Sequence, residues 1–259
     1  MEDNINDIDK NLLPEDEQDD NNDKEEKKEE IKIERLNENT TNYEESKKVI
    51  IIGDVNVGKS SILKRLIDNT FNENLRHSIA LEHHNLVIKI NSYILRLQIW
   101  DTVGQEKFDA VTSNYYASTD VAIFVYSIDN LDSFNKISNW LNDLDDKVND
   151  KGRLIVKILI GNKNDLSDER KVSNENGEDF ASKNDFTLFN EISCKEMEDE
   201  DNNKNINEIV EKIGRIFYEK YKNNRERLNS DSFNYKASDT VLQSQDKEKT
   251  TKRKCCCFC

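Results

Sequence analysis

A chain of 259 residues has room for one domain of ordinary size with appendages, or for two small ones. Its formal net charge is −15, and most of that imbalance sits in residues 1–47, where 18 of the 53 acidic residues stand against seven basic ones. The remainder offers no electrostatic footprint for nucleic acid, and DNA or RNA is excluded as a partner.

Taken in chain order, residues 1–47 are acidic, padded with Asn and poor in apolar side chains. They cannot bury enough surface to offset the entropy of ordering, and they read as a disordered acidic extension. They have neither the basic n-region nor the apolar h-region of a secretory signal. Apolar runs such as Val121 to Tyr126 are too short to span a bilayer, so the expected location is the cytoplasmic side.

From Lys48 to about Lys222, apolar runs of strand length alternate with amphipathic segments of helix length, and the one proline, Pro14, lies outside. The pattern predicts strands over Val49–Ile52, Asn85–Ile90, Ile94–Trp100, Val121–Tyr126, Leu154–Ile160 and Thr187–Asn190. It predicts helices near Lys59–Ile67, Val111–Tyr116, Leu131–Lys147, Ser173–Lys183 and Ile206–Tyr221. The second and third strands are joined by a tight turn at Asn91, Ser92 and Tyr93, whereas strand and helix alternate afterwards. The expectation is an α/β domain over 48–222 with a six-stranded, mostly parallel sheet, one antiparallel strand, and helices on both faces. Residues 223–259 return to polar sequence and read as a flexible tail.

The run Gly53-Asp54-Val55-Asn56-Val57-Gly58-Lys59-Ser60 matches G-x-x-x-x-G-K-[ST] directly after a strand and at the start of a helix, which places the domain in the P-loop NTPase fold. Its glycines let backbone wrap a phosphate. Amide groups of the loop, from Asp54 to Ser61, and the helix N-terminus then face the phosphates. Lys59 adds a point charge on the β and γ oxygens, and Ser60 offers a hydroxyl to Mg²⁺. The third strand ends in Trp100-Asp101-Thr102-Val103-Gly104-Gln105. Asp101 is suited to hold Mg²⁺, Gly104 to give its amide to a γ-phosphate, and Gln105 to orient a water for in-line attack.

The fifth strand ends in Gly161-Asn162-Lys163-Asn164-Asp165, and Ser193-Cys194-Lys195 follows the sixth. A carboxylate accepting from two adjacent donors selects guanine, whose ring N–H and exocyclic amine point the same way. Asp165 fits that role. Asn162 would brace the loops, the stems of Lys163 and Lys195 cover the base, and the Cys194 amide meets the guanine carbonyl. The Cys194 thiol equally reads as a small buried hydrophobe.

These motifs, in this order and spacing, resemble the Ras superfamily of small GTPases over about Lys48 to Tyr221, without gaps through Gln105. Leu97-Gln98-Ile99-Trp100-Asp101-Thr102, Tyr115-Tyr116, Val125-Tyr126-Ser127 and Asn139-Trp140-Leu141 resemble the Rab branch in particular. The resemblance implies that Phe71 packs against the guanine and that Ser78 gives a hydroxyl to Mg²⁺ and the γ-phosphate. It also implies that Trp100 and Tyr116 read partners, the alternative for both being ordinary half-buried core aromatics. The chain departs from the family at Leu75, Ser78, Ala80 and His83; Ser78 keeps the ligand oxygen, and the other three imply an unusual partner surface. Val55, Asn56 and Val103 stand where the family has smaller residues, which implies slow hydrolysis. Residues 196–204 form an acidic insertion.

Four of the five cysteines lie in the last five residues, which excludes a disulfide framework. The ending Cys257-Phe258-Cys259 matches the C-x-C pattern of double geranylgeranylation at Cys257 and Cys259, while Cys256 to Cys259 also parses as a C-a-a-X box with an atypical last residue. Two lipids with upstream Lys252, Arg253 and Lys254 give stable anchoring where one does not. A metal or redox cluster is disfavoured by contiguous spacing without a nearby histidine.

The expectation is a Rab-like GTP/GDP switch with Mg²⁺ as cofactor, acting in vesicle and membrane traffic. Its partners would be an exchange factor, a GAP, prenylation and membrane-extraction chaperones, and effectors on the switch surface. It would sit, lipid-anchored, on the cytoplasmic face of an intracellular or plasma membrane, with a cytosolic pool when extracted. The alternative is a guanine-nucleotide-binding interaction protein with little or no hydrolysis, held in one state.

Overall fold

The computed structural model describes residues 32–71, 83–101, 115–148, 154–195 and 206–227. In chain order the elements are β1 (Ile33–Leu36), β2 (Glu45–Gly53), α1 (Lys59–Asp68), β3 (His83–Ile90), β4 (Tyr93–Asp101) and β5 (Val121–Ser127). There follow α2 (Leu131–Asn135), α3 (Ile137–Lys147), β6 (Val156–Asn162), α4 (Asn174–Lys183), β7 (Leu188–Ile192) and α5 (206–227). The strands form one sheet in the order β1-β3-β4-β2-β5-β6-β7. β3 runs antiparallel to both its neighbours, and all other pairings are parallel.

β2 is central because its β-branched run is buried on both sides. Val49 and Ile51 enter one apolar cluster, while Ile50 and Ile52 enter the other. The first cluster is closed by Ile62, Leu63 and Leu66 of α1 and by Ile206, Ile209, Val210, Ile213 and Phe217 of α5, at helical spacing. The second is closed by Ile137, Leu141 and Leu144 of α3 and by Ala181 of α4. Helices therefore cover both faces, and a mostly parallel α/β sheet with one antiparallel strand is what the sequence predicts.

The sheet has seven strands, not six. The added strand, Ile33–Leu36, lies within the segment 1–47 read as disordered, and β2 begins at Glu45 rather than Val49. β1 is too short to show a period. It is held by pairing with β3, Ile33 opposite Ile90 and Leu36 opposite Val87. Ile33 packs against the first cluster, and the Arg35 guanidinium donates to Leu66 O at 2.7 Å and to Asn207 Oδ1 at 3.2 Å.

The helix predicted over Leu131–Lys147 is two helices that meet at Lys136, where an Asn139 N–H to Lys136 O bond of 3.0 Å tightens the turn. β6 starts at Val156, two residues later than predicted, because Leu154 is exposed. It also runs on to Asn162, whose side chain is buried and hydrogen-bonded. The β3–β4 turn uses Asn91 in the left-handed region (φ 54). α5 continues to 227, past the predicted end. Of the helix predicted over Val111–Tyr116, only 115–116 lie within the described residues.

Candidate functional site

From β2 the chain crosses to β3 and β4 on one side and returns to β5 on the other, so the strand order reverses beside β2. The carboxyl end of such a switch point is where open α/β sheets bind ligands.

β2 ends there at Gly53, where a Cβ would stand 2.2 Å from Val125 O. Asn56 (φ 63) and Gly58 (φ 98) then take left-handed backbone and bend the loop back onto α1. A Cβ on Gly58 would lie 2.1 Å from Asn162 Nδ2, and that amide donates to Val57 O at 2.8 Å. The loop is thus braced from β6. The first-turn N–H groups of α1 and the loop amides together make a concavity for an anion.

The Lys59 ammonium is buried and donates to Gly53 O and Asp54 O, both at 2.8 Å. Asp54 turns away from it. One carboxylate oxygen accepts the Val55 N–H at 2.9 Å, and the other pairs with Lys136 Nζ at 2.5 Å, from the break between α2 and α3. Burial pulls the Asp54 carboxyl upward, but the Lys136 and Val55 hydrogen bonds outweigh it and hold it below the usual range. Val55 is 40% exposed, and Ser61 is partly buried on the first turn of α1.

The Ser60 hydroxyl donates to Asp101 Oδ2 at 2.5 Å, and Asp101 ends β4 in a buried position. A hydroxyl and a carboxylate are hard oxygen donors. They fit Mg²⁺, which takes one or two protein ligands and completes its shell with phosphate and water.

Beyond β6, Lys163 stands in the left-handed region (φ 67) and opens a 3₁₀ turn over Asn164–Glu169. Asp165 Oδ1 accepts from Ser193 Oγ at 2.6 Å, and the Lys195 N–H donates to the same hydroxyl at 3.2 Å. The turn is held by Arg170, whose guanidinium donates to both carboxylate oxygens of Glu191 at 2.7 and 2.8 Å and to Asn164 Oδ1 at 2.7 Å. Lys163 Nζ lies 3.9 Å from Asp129 Oδ1. Cys194 is buried, and burial pushes its thiol up to about 12, so it carries no charge near neutral pH.

Phe71 is packed against the first cluster, with the Arg65 guanidinium 5.6 Å from its ring centre. Arg65 was given no part by the sequence. A basic residue in a last helical turn reads as a complement to the helix dipole. The signal it did carry is position, since it falls on the buried stripe of α1 with Ile62 and Leu66.

The structure thus brings together the phosphate loop, Ser60 with Asp101, Asn162, and Asp165 with Ser193, Cys194 and Lys195. Ser78, Val103, Gly104, Gln105, Cys257 and Cys259 lie outside the described residues. Trp100 is half-buried and stacks on His83, ring centres 4.7 Å apart. Tyr116, expected to read partners, is instead 2% exposed within the second cluster, edge-on to Tyr115. Tyr115 is buried too, its hydroxyl donating to Trp100 O at 3.0 Å. The two adjacent aromatics close the sheet face rather than present themselves to solvent.

A domain with this sheet order and this loop is a P-loop nucleotide-binding protein of the α/β class. The profile of the Ras family matches residues 48–218. The chain is similar to Ras-related protein Rab-10 of Caenorhabditis elegans, 38% identical over 153 residues that cover 59% of this chain and 74% of that one. It is also similar to Ras-related protein Rab-2B of Dictyostelium discoideum, 36% identical over 198 residues that cover 76% and 93% of the respective chains. The chain belongs to the Ras family, as a small GTPase of the Rab type.

Proposed function

We propose that this chain is a GTP/GDP switch in vesicle and membrane traffic whose hydrolysis is slow. The observation that carries the reading is the meeting of the phosphate loop, the Ser60–Asp101 pair and the Asp165–Ser193 pair at one edge of the sheet. The first residue set binds phosphate, the second a divalent cation, and the third a base with two adjacent donors.

In this reading loop amides and Lys59 hold the β and γ oxygens, and Ser60, Ser78 and Asp101 hold Mg²⁺. When bound, the cation neutralises charge on the phosphates. Asp165 accepts from the guanine ring N–H and amine, Phe71 and the Lys163 and Lys195 stems cover the ring, and the Cys194 amide meets its carbonyl. Ser78 and Gly104 bind a γ-phosphate and order two switch segments, and loss of that phosphate releases them. Gln105 orients the attacking water. Val55 is 40% exposed on the phosphate loop, where a branched side chain would crowd the Gln105 amide and a GAP arginine, which supports a slow rate.

The partners of such a switch are an exchange factor, a GAP, effectors on the switch surface, and chaperones of prenylation and membrane extraction. Cys257 and Cys259 carry the lipids and set the chain on the cytoplasmic face of an intracellular or plasma membrane, with an extracted cytosolic pool. Among the described residues no helix is long and apolar enough to cross a membrane.

Single-turnover hydrolysis by the GTP-loaded full chain, with and without cell extract, tests the switch. The expected intrinsic rate is about 10⁻⁴ per second or below, with little stimulation. Equal affinity for ATP and GTP overturns the guanine assignment, and stimulation of about 10⁵-fold overturns the slow rate.

A further inference from the structure

α1 carries the phosphate loop at its amino end, and its last turn holds a charge that the chemistry above does not use. Arg65 is 1% exposed, the largest side chain among the described residues to be so fully buried. A guanidinium taken this far from water needs its donors met. Nε donates to Cys194 O at 2.8 Å, Nη2 donates to the same oxygen, and Nη1 donates to Asn69 O at 3.1 Å. Asn69 is the left-handed cap of the same helix (φ 54), and its N–H returns a bond to Arg65 O at 3.2 Å. The planar fork is thus fixed by its own helix and turns its other edge to a single carbonyl of the loop after β7.

That carbonyl belongs to the peptide whose N–H is that of Lys195. The Lys195 N–H donates to Ser193 Oγ, and the Ser193 hydroxyl donates to Asp165 Oδ1. A continuous run of polar contacts therefore leads from the end of α1 to the carboxylate that reads the base. On its other side the same guanidinium faces the Phe71 ring.

We propose that Arg65 is a positioning residue for base recognition. It holds the Cys194–Lys195 peptide and the Phe71 ring, so that Asp165 and the Cys194 N–H meet guanine in one fixed geometry, and it ties that pocket to the helix that starts at the phosphates. The inference rests on the guanine-nucleotide reading and adds a residue to it. A side chain that only filled space would affect stability without altering which base is preferred.

The test uses the full chain with labelled GDP and with IDP, whose hypoxanthine lacks the exocyclic amine. Affinity for both and the rate of GDP release are measured for the native chain, Arg65→Gln and Arg65→Lys, beside their thermal unfolding. Arg65→Gln is expected to release GDP at least about tenfold faster and to lose about tenfold of the GDP-over-IDP preference, the scale of a charged hydrogen bond. Arg65→Lys, which keeps a cation and one line to Cys194 O, is expected to recover part of both. GDP and IDP weakened in equal proportion, or neither changed, overturns the proposal even if the variant melts lower. Should Arg65→Gln fail to fold, Arg65→Lys decides alone, a reduced preference supporting the proposal and an unchanged one overturning it. A native chain that binds neither nucleotide overturns the function itself, and this proposal with it.

Discussion

Asp165 has one carboxylate oxygen committed to the Ser193 hydroxyl, which fixes the plane in which the group would meet a base under the proposed function. Asp165→Asn puts a donor where guanine presents a donor. It should weaken GTP by about tenfold or more and improve xanthosine triphosphate, which presents an oxygen there, as read by competition against labelled GDP. Val55 offers a second expectation. Its branched side chain is 40% exposed on the phosphate loop. Val55→Gly should raise stimulated hydrolysis by about tenfold or more, above any substitution at Ser78, in single-turnover assays. Cys194 gives a third. Unfolding exposes a thiol with an ordinary value of 9.0 that burial holds at about 12, so above pH 9 the unfolded chain binds fewer protons than the folded one. Stability is full below that pH and falls as the pH rises toward 12. Burial raises Tyr93 and Tyr126 as well, which adds loss in the same direction above pH 10. Thermal midpoints taken from pH 8 to 11 should decline from about pH 9, and a flat profile would contradict the burial of these groups. The residues of the phosphate loop, Asp101 and Asp165 were legible in the sequence because each motif states its geometry within a few positions. Arg65 was not, since its acceptor lies 129 residues away at Cys194.

The core elements were legible for a related reason: β2 and β5 carry unbroken apolar runs, β6 carries one broken only at Lys157, and α3 and α5 carry apolar stripes at helical spacing. What escaped was set by tertiary contact. The pause at Lys136 has no breaker residue, only a turn bond within the helix pair and an ammonium committed to Asp54. β1 has four residues and an acidic neighbourhood, and its position depends on the β3 edge and on Arg35. Arg35→Ala leaves the last-turn carbonyl of Leu66 without that donor. We expect a loss of about 1–2 kcal/mol, which in a domain of this size lowers the thermal midpoint by about 2–8 °C. A midpoint unchanged in calorimetry would show that β1 is held by its backbone pairing alone.

At the scale of the molecule, the reading assigns separate tasks to separate stretches: a nucleotide domain, an acidic extension before it and a lipid-bearing tail after it. Changing Cys257 and Cys259 together to Ser should move the protein into the soluble fraction, whereas removing residues 1–30 should not. Sedimentation of the double variant with membranes would mean that another part of the chain holds it there. The strand at the sheet edge bears on solubility as well as on order. β3 continues through Leu86, Val87, Ile88, Lys89 and Ile90, a ribbon apolar at all but Lys89 that, left uncovered, would offer its backbone to any other extended chain. β1 occupies Val87 to Ile90, and its own outward rim is short, with Glu34 and Arg35 exposed at its centre. The protein thus replaces an adhesive border with a charged one, and a chain that began at Glu45 would carry its aggregation hazard in plain view of its neighbours.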